Sequence, residues 1–352
     1  MAKNLIVALD SFLNAAQKPD DENTLVYAPE KLETFILLDE IKGIEGSRRF
    51  QNPHFYKPYL SNIVAFSEGS FLIQISYIGV YEQNAVLAAT YELIAHPKGD
   101  SFVFASPLKY NTRNWKKILA GNTAFYYHDR INLKKVAEFK KLSNSFDKKL
   151  KTEDKQCAIY LCSDFVEAQK LIGLSYKLDY NGYDKNALSY VSGSQKLIIS
   201  GDQSPTLENF DPHDLWHDRL SLAIARSKVN KPIDEGCAYL YGGSWGLSWN
   251  DILMRFKEKV AADKNTDWAA LKEKPLNFGV SEDEHLMADY VVNALLVRKI
   301  EQEKGFAGVW EFLCCGPAEK GNNNYYTALE KLTGITRENY NARVWELVKS
   351  AR

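Results

Sequence analysis

The chain has 352 residues and a formal net charge of −1 at pH 7, with 45% hydrophobic and 25% charged residues. This composition is that of an ordinary globular protein, and the length predicts two or three structural units. The balanced charge provides no strongly basic surface, so we expect no nucleic-acid partner. The longest apolar runs, such as ADYVVNALLV, are too short to span a bilayer, and no transmembrane segment is expected. Nothing in the composition indicates an oligomeric state.

The five cysteines argue against two kinds of site. Their number is odd and no CxxC pair occurs, which disfavours both a disulfide framework and a cysteine zinc cluster. The opening MAKNLIVALDSFLNAA has one lysine and a short apolar stretch broken by Asp10, so it predicts a helix and not a signal peptide.

Residues 1–131 predict an α+β domain in which helices pack on one face of a curved antiparallel sheet. Two helical patterns come first, and Pro29 and Gly43 stand where the second helix would begin and end. From Tyr59 to about Tyr127 the hydrophobic period changes to two, which is typical of half-buried strands. The strand-like runs are NIVAFSEG, SFLIQISYIGV, AVLAATYELIAH and DSFVFASPL.

Residues 132–352 predict a second domain that begins with a small sheet and ends in helices. Its sheet part spans residues 132–209, where strand-like QCAIYLC, ALSYVSG and QKLIISG alternate with helical segments. From residue 210 to the end every pattern is helical. We expect the sheet part to lie over the first of these helices, and limited proteolysis to cut between the two domains.

The stretch HDLWH, at the start of the helical part, carries the first candidate site. His213 and His217 are four residues apart, so on a helix they share one face and can turn imidazole nitrogens toward one ion. Catalytic zinc takes three protein ligands and keeps one position open. After seventeen further residues, Glu235 lies at the start of a second apolar helix and offers the third ligand. The spacing HDxxH-x17-E therefore predicts a zinc site.

The phrases IDEGCAYLYGG and YYTALEKLTGITRENYNARVWELV, together with the order of elements, resemble the gluzincin zinc metallopeptidases and most of all their peptidase MA-like branch. The resemblance covers residues 132–352 and implies a zincin-like fold; residues 1–131 resemble at most an NTF2-like cone. It implies that His213, His217 and Glu235 bind zinc, that Asp214 is the general base, and that a peptide or protein is the substrate. It also implies an extracytoplasmic location if a signal peptide has been removed.

Several positions depart from the family pattern. Asp214 replaces the usual glutamate and is one methylene shorter, which withdraws its carboxylate by about 1.5 Å. Tyr239 stands where some relatives have an acid that orients a metal histidine. The family's transition-state donor has two loose candidates, His285 and Tyr290, which amphipathicity alone would also explain. Three interpretations therefore stay open: a working zinc peptidase with a variant base, a zinc-containing binding or scaffolding protein without catalysis, and a histidine pair that binds nothing.

Overall fold

The structure is a computed structural model that describes residues 2–47, 55–178, 186–281 and 284–351. It confirms the predicted α+β class, with an antiparallel sheet in the N-terminal part and a mostly helical C-terminal region. Contacts divide the chain into two compact units, the first formed by residues 1–136 and 155–209 and the second by residues 137–154 and 210–352.

The first unit contains two sheets and the helices that pack on them. In chain order its elements are α1 (Ala2–Ala15), α2 (Lys31–Glu45), β1 (Lys57–Ala65), β2 (Phe71–Tyr81), β3 (Asn84–Lys98), β4 (Ser101–Ala105), α3 (Leu108–Asn111), β5 (Lys116–Ala120), β6 (Thr123–Tyr127), the start of α4 (Leu133–Leu150), β7 (Gln156–Leu161), α5 (Phe165–Leu171), β8 (Leu174–Lys177), β9 (Ala187–Ser192) and β10 (Gln195–Ser200). One sheet has the order β1-β2-β3-β4 with β8 also paired to β3, and the other has the order β5-β6-β7-β10-β9.

The predicted hydrophobic period of two residues is seen in the core of the first sheet. Ile73, Ile75 and Tyr77 alternate along β2 and are almost completely buried, as expected where successive side chains point to opposite faces. They belong to one hydrophobic cluster with residues of α1 and α2. Within this cluster the ring centroids of Phe12 and Phe104 are 4.9 Å apart, so α1 packs directly on β4.

The division into units differs from the boundary expected at residue 131. β6 pairs with β7 in parallel, and β3 pairs with β8, so strands on both sides of that boundary share hydrogen bonds. Residues 155–209, which the sequence pattern groups with the helices that follow, therefore form one compact unit with residues 1–136.

The second unit consists of helices. It contains the greater part of α4, followed by α6 (Pro212–Ala223), α7 (Lys231–Gly242), α8 (Trp249–Lys259), α9 (Trp268–Glu273), α10 (Ala288–Leu313), α11 (Asn323–Thr333) and α12 (Tyr340–Ser350). Two close contacts hold α6 and α7 in place. Arg219 of α6 donates from Nε to Asp147 of α4 at 2.5 Å, with both side chains buried. A Cβ atom at Gly236 of α7 would lie 2.7–2.8 Å from atoms of Asn293 and Ala294 in α10, so these two helices approach closely.

Among the described residues, no helix combines the length and the apolar character that crossing a bilayer requires.

Candidate metal centre

Helix α6 begins in a way that places both histidines on one face. The Asp211 carboxylate caps the helix by accepting a hydrogen bond from the His213 backbone N–H at 2.8 Å, and Pro212 occupies the first helical position. His213 and His217 then lie one turn apart. Their Nε2 atoms are 3.2 Å from each other, close enough for both to bind one ion.

Glu235 completes a triangle of ligand atoms from the first half of α7. Its Oε2 atom lies 3.3 Å from His213 Nε2 and 3.6 Å from His217 Nε2. Tetrahedral zinc with ligands at about 2.0–2.2 Å requires neighbouring ligand atoms to be about 3.3–3.6 Å apart. The three side chains predicted as ligands are thus brought together with the spacing that zinc needs.

The triangle is only partly covered. The three side chains keep 11–20% of their exposure, so the group is not sealed within the helices. A structural zinc site has four protein ligands and is closed, whereas a catalytic one leaves a position for water or substrate. Three ligands with remaining exposure correspond to the second kind.

The charges of the three side chains support one another. Burial opposes ionisation of Glu235, but hydrogen bonds and charges from His213 and His217 outweigh it and hold the pKa of this carboxyl well below its usual range. Burial alone would lower the pKa of His217, whereas Asp234 and Glu235 together raise it to about 10. Without metal, the site therefore holds a carboxylate beside an imidazolium, and a metal ion must displace that proton.

Outer contacts of the two imidazole rings come from groups that the sequence pattern did not indicate. His213 donates from Nδ1 to the backbone carbonyl of Gly243 at 3.0 Å. His217 Nδ1 lies 3.0 Å from Asp234 Oδ2, and the Trp216 indole donates to the other oxygen, Oδ1, at 2.9 Å. A buried pair of acids inside the apolar run IDEGCA was the available signal, because buried carboxylates require partners.

Asp214 lies next to His213 on α6 and supplies none of the three ligand atoms. The residue as a whole is exposed, but protein atoms crowd its carboxylate. This partial burial, together with the charges of Asp211 and Asp218, raises the pKa of Asp214 to about 6. A carboxyl with a pKa near neutrality suits proton transfer.

The two candidates for a transition-state donor occupy different surroundings. Tyr290 is half-buried and its ring meets that of Tyr239 edge-on at 5.7 Å; burial and then the charge of Glu235 raise its pKa to about 12. His285 is exposed, its ring centroid lies 6.5 Å from that of Trp245, and its backbone carbonyl accepts a hydrogen bond from the Tyr239 hydroxyl. Tyr290 thus lies within the electrostatic reach of the ligand glutamate.

Tyr239 does not take the place of an orienting acid. Its hydroxyl donates to the His285 carbonyl and accepts from the Met287 backbone N–H, both at 3.1 Å, while its ring packs 5.6 Å from that of His213. Asp234, five residues earlier on the same helix, contacts a metal-site histidine instead.

Comparisons of the chain with protein-family models, with curated proteins and with solved structures found no match. The gluzincin and NTF2-like resemblances therefore remain predictions.

Proposed function

We propose that this protein is a zinc-dependent hydrolase of peptide bonds, with His213, His217 and Glu235 as the zinc ligands. The observation that carries the proposal is the triangle of Nε2, Nε2 and Oε2 atoms with sides of 3.2, 3.3 and 3.6 Å. Two imidazoles and one carboxylate are also the donor set of known catalytic zinc sites.

The chain's own residues then have distinct tasks. Bound zinc supplies Lewis acidity, which lowers the pKa of a water molecule and polarises a carbonyl oxygen. Asp214, with a pKa of about 6, accepts a proton from the attacking water and returns it to the departing amine. Tyr290 keeps its hydroxyl proton near neutral pH because its pKa is about 12, so it can donate a hydrogen bond to the substrate's oxyanion.

The peptide as substrate rests on the gluzincin resemblance of residues 132–352. The ligand glutamate lies in the phrase IDEGCAYLYGG, and helices α11 and α12 contain the second phrase of that resemblance, YYTALEKLTGITRENYNARVWELV. On this proposal, the helices from residue 210 onward correspond to the zincin-like part, whereas residues 155–209 share the first unit with residues 1–136.

The test measures metal and cleavage on the same preparations. The wild-type chain should hold about one zinc ion, and should slowly cleave an unfolded protein substrate in a reaction that a chelator stops and added zinc restores. Glu235→Ala should lose both zinc and cleavage. Glu311→Ala is the matched control, because Glu311 pairs with Lys331 at the surface of the same unit, away from the ligand triangle. A wild-type chain without zinc after supplementation, or cleavage unaffected by the chelator, would contradict the proposal.

A second function, binding or scaffolding by a zinc-containing chain without catalysis, is favoured by Asp214. This side chain is one methylene shorter than the family's glutamate, and a misplacement of about 1 Å in an active site costs on the order of a hundredfold in rate. Full zinc occupancy with no cleavage by the wild type would favour this second function.

A further inference from the structure

Both oxygens of the buried Asp234 carboxylate meet donors on α6. Oδ1 accepts from the Trp216 indole N–H at 2.9 Å, and Oδ2 lies 3.0 Å from His217 Nδ1. Asp234 is 4% exposed and Trp216 is completely buried, so neither group turns to water. Asp234 also directly precedes the ligand Glu235. One turn of α7 therefore supplies a metal ligand and also contacts the imidazole ring of His217.

The direction of these hydrogen bonds determines which nitrogen of His217 is free. An indole nitrogen only donates and an ionised carboxylate only accepts. With Oδ2 as acceptor, His217 keeps a proton on Nδ1, so Nε2, which faces His213 and Glu235, is the nitrogen that gives up its proton and binds the metal ion.

We propose that Asp234 is the positioning residue of the metal centre: it fixes the ring orientation and the metal-binding tautomer of His217, and the Trp216 indole fixes Asp234. This inference rests on the zinc site of the proposed function but not on catalysis. Outer hydrogen bonds of this kind hold metal histidines in many proteins, and their loss typically costs tenfold to a hundredfold in metal affinity.

The two histidines differ in how their outer hydrogen bonds are made. His213 uses the backbone carbonyl of Gly243, which no substitution of a side chain removes. His217 depends on a side chain, and Tyr239, at the position where relatives place an orienting acid, is engaged with His285 and Met287. The metal affinity should therefore be sensitive to Asp234.

Asp234→Asn tests the tautomer directly because it preserves size while changing one acceptor into a donor. The Trp216 N–H requires the amide oxygen, so the amide NH2 group must face His217 Nδ1. Nδ1 then becomes the acceptor and the ring proton moves to Nε2, the nitrogen that should bind zinc. We expect zinc affinity, measured by competition with a chelating dye, to fall about tenfold to a hundredfold.

A second substitution should reverse this loss. In the double variant Trp216→Phe/Asp234→Asn no indole donor remains, so the amide can rotate and present its oxygen to His217. We expect the double variant to bind zinc about tenfold more tightly than Asp234→Asn alone, although it carries one more change in the core. Trp216→Phe alone should lower zinc affinity less than Asp234→Asn does, because the Asp234 carboxylate still accepts from His217 Nδ1.

Asp234→Ala is a further variant that tests the same hydrogen bond without a change at Trp216. It leaves His217 Nδ1–H to a water molecule, so it should bind zinc more tightly than Asp234→Asn despite removing more atoms.

Asp289→Asn is the matched control for folding effects. Asp289 is also 4% exposed and pairs with the buried Lys272 at 3.3 Å. Its substitution should lower thermal stability but leave zinc affinity unchanged, because this pair does not contact the ligand triangle.

The outcomes separate this inference from the proposed function. Zinc binding by Asp234→Asn equal to wild type, or a double variant and an Asp234→Ala variant that are both as weak as Asp234→Asn, would overturn the role of Asp234. A wild type that binds zinc but cleaves no peptide would contradict only the hydrolysis.

Discussion

Gly242 is a position at which the metal centre should be sensitive to one added carbon atom. It is the last residue of α7, and a Cβ atom there would lie 2.5 Å from the carbonyl oxygen of Pro212, 2.7 Å from its carbonyl carbon and 2.8 Å from the backbone nitrogen of His213. All three atoms belong to the backbone at the start of α6, so no side-chain rotation relieves the clash. Gly242→Ala must therefore move α7 away from α6.

The size of the effect follows from these distances. Ordinary contact begins at 3.4 Å, so the helices must separate locally by about 0.9 Å, and overpacking of this kind costs about 1–3 kcal/mol. The same displacement shifts the His213 backbone relative to the Gly243 carbonyl that accepts from its ring. We expect Gly242→Ala to lower the free energy of unfolding by about 1–2 kcal/mol and to weaken zinc binding at least about tenfold.

The assay combines urea unfolding of the metal-free protein with zinc competition against a chelating dye. Gly43→Ala is the matched control: Gly43 lies within α2, its Cβ would meet no atom within 4 Å, and the replacement should stabilise by about 0.5–1 kcal/mol without changing zinc affinity. If Gly242→Ala matches wild type in both measurements, the close contact between α6 and α7 does not hold His213, and the reasoning fails.

Two further predictions concern proton transfer at the same centre. Asp214→Glu should raise the rate of peptide cleavage about tenfold or more by extending the carboxylate. Asp214→Asn should abolish cleavage because an amide accepts no proton at neutral pH. Zinc content should stay unchanged in both variants, and equal cleavage rates in the wild type and the two variants would exclude Asp214 as the base. Zinc affinity should fall about tenfold per pH unit from pH 8 to pH 6, because the ion displaces a proton from His217, whose pKa without metal is about 10. Since this pKa is raised, the protonated ring stabilises the metal-free fold below about pH 6.5, and the contribution is lost as the pH rises through 10. A zinc affinity that does not change over this range would contradict the displacement.

The ligand triangle was predictable from sequence because it depends on local rules. An i, i+4 pair lies on one helix face whatever surrounds the helix, and Pro212 with Asp211 specifies where α6 begins. Bringing Glu235 to that face required one assumption, that the next apolar helix packs against the first. The structure places its Oε2 within 3.6 Å of both Nε2 atoms.

Asp234 was not predictable by the same rules. Adjacent residues on a helix point about 100° apart, so periodicity assigns Asp234 and Glu235 to different surroundings. Both nevertheless serve one site, because His217 offers two nitrogens on opposite sides of its ring, and each acid reaches one of them. Only the position of that ring between the two acids reveals the pairing.

The division of the chain into units was beyond local patterns for a related reason. Periodicity identifies a strand but not its partner, and β7 and β10 read equally well as part of a second domain. In the structure β7 pairs in parallel with both β10 and β6. This pairing joins strands that lie before and after α4 in the chain. Such long-range pairing is decided by packing, which one sequence does not display.

Metal binding and hydrolysis depend on different parts of this site and can fail separately. The ligands are held by several independent constraints: the cap at Asp211, the carbonyl of Gly243 and the carboxylate of Asp234. Asp214 takes no part in these three contacts, so its side chain can be one methylene shorter than the family's glutamate without altering them. A sequence can therefore lose or weaken the base while the zinc affinity stays intact. For this reason zinc content measures the architecture of α6 and α7, whereas the response to Asp214→Glu measures the catalysis.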